Sequence, residues 1–432
     1  MIRQGNHCRL IVSSLKCLRV FGIDSNSEYN LFCRQSGRFR VKYCLRFVSA
    51  LALALAATII LPVGFVPAMA ADITVGLITS MTGPGASIGI PYSKGTNAGV
   101  VFQDEVNGIK INVVQLDDAS DPSTGTRDAR KLIEQDKVDV LMGAGNAPTT
   151  LAVVAVSHEL KVPLLALVPT GDIPGDAGAW MVSIPQPPPL MVEAVVERMK
   201  AAGVKTVGYI GFNDAWGDLV FNALKKTADP AGIQIVANER YARADTSVTA
   251  QALHVVAAAP DVVMMGGSGT PGALPFIALA ERGYKNQIYG THALINPDFV
   301  RVGGPAVEGV ICPAGPVVVA EQLPDSNPTR KVAIEYLAAY KKANNEESHG
   351  GFGPYAFDAW LIMLDSAKRA LATGAQPGTP EFRAALREAI VNTKELVGTH
   401  AVYNFKPGAT SGVDQRAQVL VKLVDGKWKL MQ

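Results

Sequence analysis

Cysteine is nearly absent from most of this 432-residue chain: Cys8, Cys17, Cys33 and Cys44 all precede residue 71, and only Cys312 follows. That stretch can form no internal disulfide and, with no Cys or His cluster around Cys312, no structural zinc site. Cys312 reads as a small buried apolar residue. Nucleotide signatures are also missing. No Gly-x-x-x-x-Gly-Lys-Ser/Thr occurs, and the patches Gly83-Pro-Gly85 and Gly266-Gly267-Ser-Gly269 lack dinucleotide-binding spacing. There is no Gly-x-Ser-x-Gly elbow and no His-Glu-x-x-His, while His158, His254, His292, His349 and His400 are dispersed without metal-ligand spacing. Asp117, Asp118 and Asp121 are the one tight acidic group. They follow a strand end, and Asp121-Pro122-Ser-Thr reads as a turn into a helix cap instead of an acid–base pair or calcium loop. No catalytic set, metal site or cofactor motif emerges.

A basic surface is lacking too, although the formal charge is +2. Nine Lys/Arg and two acids lie before residue 71, leaving 31 basic against 36 acidic residues after it. An acidic body with scattered cations argues against nucleic acid as a partner. Its length exceeds a comfortable single core, so two lobes are expected.

The basic excess has its own meaning. Arg38 to Arg46 is a compact cationic stretch, Phe47 to Ala71 carries no charge, and Leu51–Leu61 is a strong apolar helix-former broken by Pro62 and Gly64. Ala68-Met69-Ala70 then supplies small residues where a signal peptidase reads. This is the order of a secretory signal, so the mature chain is expected to start near Ala71 and to be exported. A retained membrane anchor is the rival, since the uncharged run could span a bilayer. Residues 1–37 carry no usable pattern.

Beyond it, short apolar runs alternate with longer amphipathic ones. Strands are expected at Ile73–Thr79, Ile111–Leu116, Val138–Met142 and Val162–Val168, with helices over 90–107, 124–136 and 147–160. A second series follows: strands Thr206–Ile210, Ile233–Val236, Val262–Met265 and Gln287–Gly290, with helices Ala215–Ala228, Ser247–Ala258 and Gly272–Arg282. Such alternation means βαβ units and parallel sheets. The proline run at 184–189 marks a break, and a second is expected near Pro313–Pro316. Three more helices (Thr329–Lys342, Tyr355–Ala372, Pro380–Asn392) precede strand-like runs at His400–Phe405 and Gln418–Leu423. Asp425-Gly426 then predicts a hairpin turn before Lys427–Leu430. The expected division is lobe 1 over 71–187 plus 314–399 and lobe 2 over 188–313 plus 400–432, after an N-terminal extension and signal at 1–70.

Ligands in open α/β sheets sit beyond the carboxyl ends of strands. One such end is Gly143-Ala-Gly-Asn146, after which a helix opens with Pro148 in its first turn. Asn146 is a natural N-cap, and unpaired N–H groups at that terminus suit a carboxylate. The next strand ends at Val168-Pro-Thr170, offering a backbone group and a hydroxyl to the same anion.

Several segments together resemble one family. Asp72-Ile-Thr-Val-Gly-Leu-Ile-Thr-Ser-Met-Thr-Gly-Pro84 is similar to the opening strand of type I periplasmic solute-binding proteins of the Leu/Ile/Val-binding class. Leu116–Pro122, Val138–Gly143, Val162–Thr170 and Asp214-Ala-Trp-Gly-Asp218 follow in family order. The resemblance spans about 71–432. It implies an α/β fold of two doubly wound parallel-sheet lobes joined by a three-crossing hinge. It also implies a monomer that traps a small carboxylate without catalysis and delivers it to an inner-membrane ABC permease.

Carried over by position, Ala147, Val168 and Thr170 match carboxylate-binding residues, though the family often has Ser where Ala147 stands. Ile88 matches an aromatic wall and Trp216 an aromatic cover. Ser268 matches a position often held by Tyr, with Gly267 and Gly269 leaving room around it. Gln186 lies at the first crossing and is expected to face the cleft. Ser120 and Asn146 stand where some members carry a disulfide. His292 stands where amino-acid binders place the carboxylate that takes the ligand's ammonium. A buried zwitterion without that acceptor is unfavourable, so an organic acid without an α-amino group is expected, aromatic acids first. The alternatives are a branched-chain amino acid, with Asp214 or Asp358 moving in as the acceptor, or a ligand sensor or enzyme on the same fold.

Overall fold

The computed structural model describes residues 71–431, so the expected export signal lies outside the described residues. In β1 (Ile73–Thr79) a β-branched run is buried at all but one position, as a parallel strand covered on both faces requires. It pairs in parallel with β3 (Ile109–Asp117) and with β4 (Val140–Gly143). β5 (Leu164–Ala166) and β6 (Met181–Ser183) extend the sheet in parallel, and β2 (Glu105–Val106) closes its other edge antiparallel. Successive strand residues serve opposite faces. Val75, Leu77, Val140 and Met142 pack with Ile88 and Tyr92 of α1 (Ala86–Phe102) and with Trp360 and Phe382. Ile78 and Leu141 pack with Leu132 of α2 (Pro122–Glu134) and Val153 of α3 (Ala147–Leu160).

The second lobe repeats the plan after α4 (Pro188–Ala201). Its parallel strands run in the order β8 (Gln234–Tyr241), β7 (Thr206–Phe212), β9 (Val262–Gly266), β10 (Ile288–Tyr289), β11 (Ile311–Ala314). β14 (Val419–Val424) and β15 (Lys427–Leu430) complete it antiparallel. Asp425 and Gly426 both take positive φ, as the expected two-residue hairpin demands. α5 (Ala215–Ala228) follows β7, α6 (Thr249–Ala257) and α7 (Leu274–Glu281) follow β8 and β9, and α8 (Pro297–Gly303) follows β10.

The proline run connects β6 to α4, and Pro188 and Pro189 sit in the first turn of that helix, where no N–H is needed. Pro313 lies in β11, which pairs with β10 only at Ile311, so it interrupts no ladder on that side. After Ala314 the chain passes to Val317 and Ala320, which pack with Ala98 of α1. The structure departs from the sequence expectation at the third crossing, which comes later than residue 400. β12 (Leu396–Val397) and β13 (Val402–Tyr403) form their own two-stranded ladder. Ala401, Tyr403, Phe405 and Ala417 lie in the first-lobe core, so the chain returns to lobe 2 only after Ala417. Helices α9 (Arg330–Asn344), α10 (Gly353–Leu371) and α11 (Pro380–Val391) belong to lobe 1, with α9 and α10 packing on α1. Cys312 is buried and unpaired in the core of lobe 2.

Candidate functional site

The carboxyl end of β4 turns through Gly143–Gly145 into α3. Asn146 caps that helix by accepting the Thr149 N–H at 3.0 Å, with Pro148 in the first turn. The Ala147 N–H at the helix start has no acceptor among the described residues. The loop is held from beneath by Asp118, which accepts from Ser80 Oγ at 2.6 Å, Ser120 N at 2.8 Å and Gly145 N at 3.2 Å. A Cβ on Gly145 would meet Ser80 Oγ at 2.0 Å, so the close approach requires glycine. Asp117 takes the Met81 N–H at 2.8 Å and the Thr82 hydroxyl at 2.7 Å, and Asp121 caps α2 through the Thr124 N–H at 2.7 Å. The acidic group is thus loop scaffolding. Where the family's disulfide would stand, Asn146 Nδ2 donates to Ser120 O at 3.3 Å.

The second lobe answers with side chains. Asp214 caps α5 by accepting from Trp216 N at 2.9 Å and Gly217 N at 3.3 Å. That cap aims Trp216 inward, where its Nε1 donates to Gly267 O at 3.3 Å. The other Asp214 oxygen accepts from Arg243 Nε at 2.5 Å. Arg243 Nη1 donates to Ser268 Oγ at 3.0 Å, and the guanidinium lies 4.1 Å from the Phe212 ring centre. Sequence reasoning missed Arg243 because it ended β8 at Val236, where the apolar run stops. The strand continues to Tyr241 because it lies at the sheet edge, where Asn238, Glu239 and Arg240 reach solvent. Placing β8 to its true end would have put Arg243 at a strand terminus.

These groups meet in one small interior space of about 20 Å³. Ile88, Asn146, Ala147, Val168, Trp216, Ser268 and His292 all line it, as do Arg243, Tyr92 and Phe352, which the sequence did not single out. Tyr92 donates to Leu167 O at 2.5 Å. His292 meets Trp216 edge-on at 5.8 Å between ring centres and Tyr355 at 5.9 Å. Full burial pushes the His292 pKa down to about 3, so the ring is neutral. Its Nδ1 is buried without a partner.

Two expected residues stand elsewhere. Thr170 is buried beyond Pro169, and its hydroxyl donates to Gly171 O at 3.3 Å instead of facing the space. Gln186 is bound where the chain crosses between the lobes: its Nε2 donates to Ala417 O at 2.5 Å and its Oε1 accepts from Tyr355. Tyr355 in turn stacks on His400 at 3.8 Å.

Neither acid expected as a substitute for the missing carboxylate is available. Both Asp214 oxygens are engaged as above. Asp358 accepts from Thr399 N at 2.6 Å, His400 N at 3.0 Å and the Tyr403 hydroxyl at 2.8 Å. The lips of the two lobes meet at Ser87, whose Oγ accepts the Thr270 N–H at 3.0 Å and whose carbonyl accepts from Asn296 Nδ2. Outer hollows of about 410 and 520 Å³ share Phe352 and Arg243, respectively, with the inner space. Among the described residues no cluster could hold a metal ion, and no helix is long and apolar enough to cross a membrane.

The sequence profile of a family described as periplasmic binding protein matches residues 72–411. A curated relative, Leu/Ile/Val-binding protein homolog 3 of Brucella melitensis, is 28% identical over 64% of this chain and 75% of its own. Among solved structures, an extracellular ligand-binding receptor from Rhodopseudomonas palustris is 40% identical, with a TM-score of 0.81 over 84% of this chain and all of its own. A second R. palustris protein, an ABC transporter solute-binding protein solved with benzoate, shares the fold at 21% identity. Its TM-score is 0.70 over 83% of this chain and 95% of its own.

Proposed function

This chain belongs to the periplasmic binding protein family, and from that premise we propose that it is an exported solute-binding protein of an ABC importer that traps a small organic acid, aromatic acids first. The observation that carries the reading is the lining of the inner space: an arginine, a free helix terminus and no carboxylate. An ammonium group buried there would find no carboxylate to balance its charge, which costs several kcal/mol. A carboxylate finds the Ala147 N–H and the positive end of α3. Ile88, Tyr92, Trp216 and Phe352 supply apolar walls on which a flat ring can lie. The benzoate-bound protein of the same fold supports the reading as a precedent. The protein binds and releases its ligand unchanged and hands it to an inner-membrane permease.

A thermal-shift panel tests the ligand class: leucine, isoleucine and valine against benzoate, hydroxybenzoates and phenylpropenoates. Stabilisation by one or more aromatic acids is expected. Stabilisation by leucine with no response to any aromatic acid would overturn the reading. An N-terminus near Ala71 on the periplasmic form would support export, and an intact N-terminus in the membrane fraction would refute it.

A further inference from the structure

The second lobe holds more polar chemistry than a carboxylate anchored at Ala147 would use. Arg243 commits Nε to Asp214 and Nη1 to Ser268, and Nη2 has no acceptor among the described residues. The Ser268 hydroxyl accepts from Arg243 and keeps its own proton to give. His292 has no hydrogen bond to either ring nitrogen among the described residues, and its Nδ1 is fully enclosed. Buried polar atoms are normally satisfied, so an unpartnered imidazole lining a binding space points to a group that completes it. The three side chains follow three different strands, β8, β9 and β10, and line the same space as the α3 terminus of the other lobe.

We propose that Arg243, Ser268 and His292 form a second polar subsite that reads a phenolic hydroxyl on the end of the ring opposite the carboxylate. This rests on the aromatic-acid reading and narrows it. A second carboxylate is the poorer fit, because Asp214 already neutralises Arg243 and no further cation lines the space. A hydroxyl suits the pole in both directions: it accepts from the guanidinium and donates to a neutral imidazole nitrogen. Specificity of this kind is steep, because a ligand without the hydroxyl leaves buried partners unmatched.

Titration calorimetry of the mature chain with benzoate and 4-hydroxybenzoate decides the matter. The wild type is expected to prefer the hydroxylated acid by about tenfold or more. Ser268→Ala and His292→Phe should each cut that preference to about threefold or less, by weakening the hydroxylated acid more than benzoate. Arg243→Gln should do the same. An equal loss for both acids in Arg243→Gln would place the carboxylate at Arg243 and overturn the subsite while sparing the organic-acid reading. Equal wild-type affinity for the two acids, or a preference that survives all three substitutions, would also overturn it. If leucine binds and neither acid does, the organic-acid reading falls as well. Thermal melts identify any variant that fails to fold, and Ser268→Ala, which removes one hydroxyl, carries the test in that case.

Discussion

The two lobes contribute to the inner space in different currencies of chemistry. The first offers main chain: a helix terminus at Ala147, held by the Asn146 cap and by Asp118 beneath it. The second offers side chains: Trp216, Arg243, Ser268 and His292. Main-chain donors are nearly indifferent to which residue carries them, so the helix terminus at Ala147 does not depend on its side chain. Side chains are not indifferent. On the proposed reading, ligand class is therefore written mainly in the second lobe.

The largest test of that division is Trp216→Ala. Removing a buried aromatic wall should weaken 4-hydroxybenzoate binding by about 2–3 kcal/mol, read by calorimetry. A loss below about 0.5 kcal/mol would take Trp216 out of the contact.

His292 gives the next effect, on stability. Above pH 6.5 its imidazole is neutral whether folded or unfolded and contributes no pH dependence. Below that, the unfolded chain takes up a proton that the buried ring refuses until about pH 3, so stability falls as pH falls. Relative to His292→Phe, the wild type should lose about 2 kcal/mol between pH 7 and pH 5. Parallel stability–pH curves for the two proteins would show that His292 is not buried in this way.

On the first-lobe side, Ala147→Pro deletes one N–H at a helix position that tolerates proline. Asn146 already has the extended backbone that a residue before proline needs. Affinity for carboxylates should fall by about 1–2 kcal/mol with the fold retained; unchanged calorimetry would move the anion elsewhere. The smallest effect is expected from Thr170→Val. Its hydroxyl faces Gly171 O, so affinity should shift by less than about 0.5 kcal/mol, and a tenfold loss would return Thr170 to the site.

The same division explains what could be read in advance. Strands β1 and β15 and helices α3 and α5 follow from apolar period and capping residues, and the structure has them at the expected bounds. The α3 terminus was legible because Asn146 and Pro148 are local signals. Arg243 was not, because an edge strand with polar residues looks like a loop. Tyr92 and Phe352 were hidden for another reason: only packing α1 and α10 on one sheet face brings residues 260 positions apart to the same wall. The displaced third crossing has a similar origin. Nothing local tells Tyr403 whether to join lobe 1 or lobe 2; the choice depends on a core built from distant segments.

The contacts at Ser87 have a consequence for cargo size. Its hydroxyl and carbonyl each hold a different segment of the second lobe, Thr270 and Asn296. A Cβ on Gly269 would come within 2.6 Å of Ser87 Oγ, so the lips already touch at this point. The space behind them is small, about 20 Å³. Any ring admitted there must act as a spacer, and hydrogen bonds lengthen and fail within a few tenths of an ångström. On the aromatic-acid reading the Ser87 contacts would gauge cargo: a thin ring would leave both hydrogen bonds made, and a thicker one would part them.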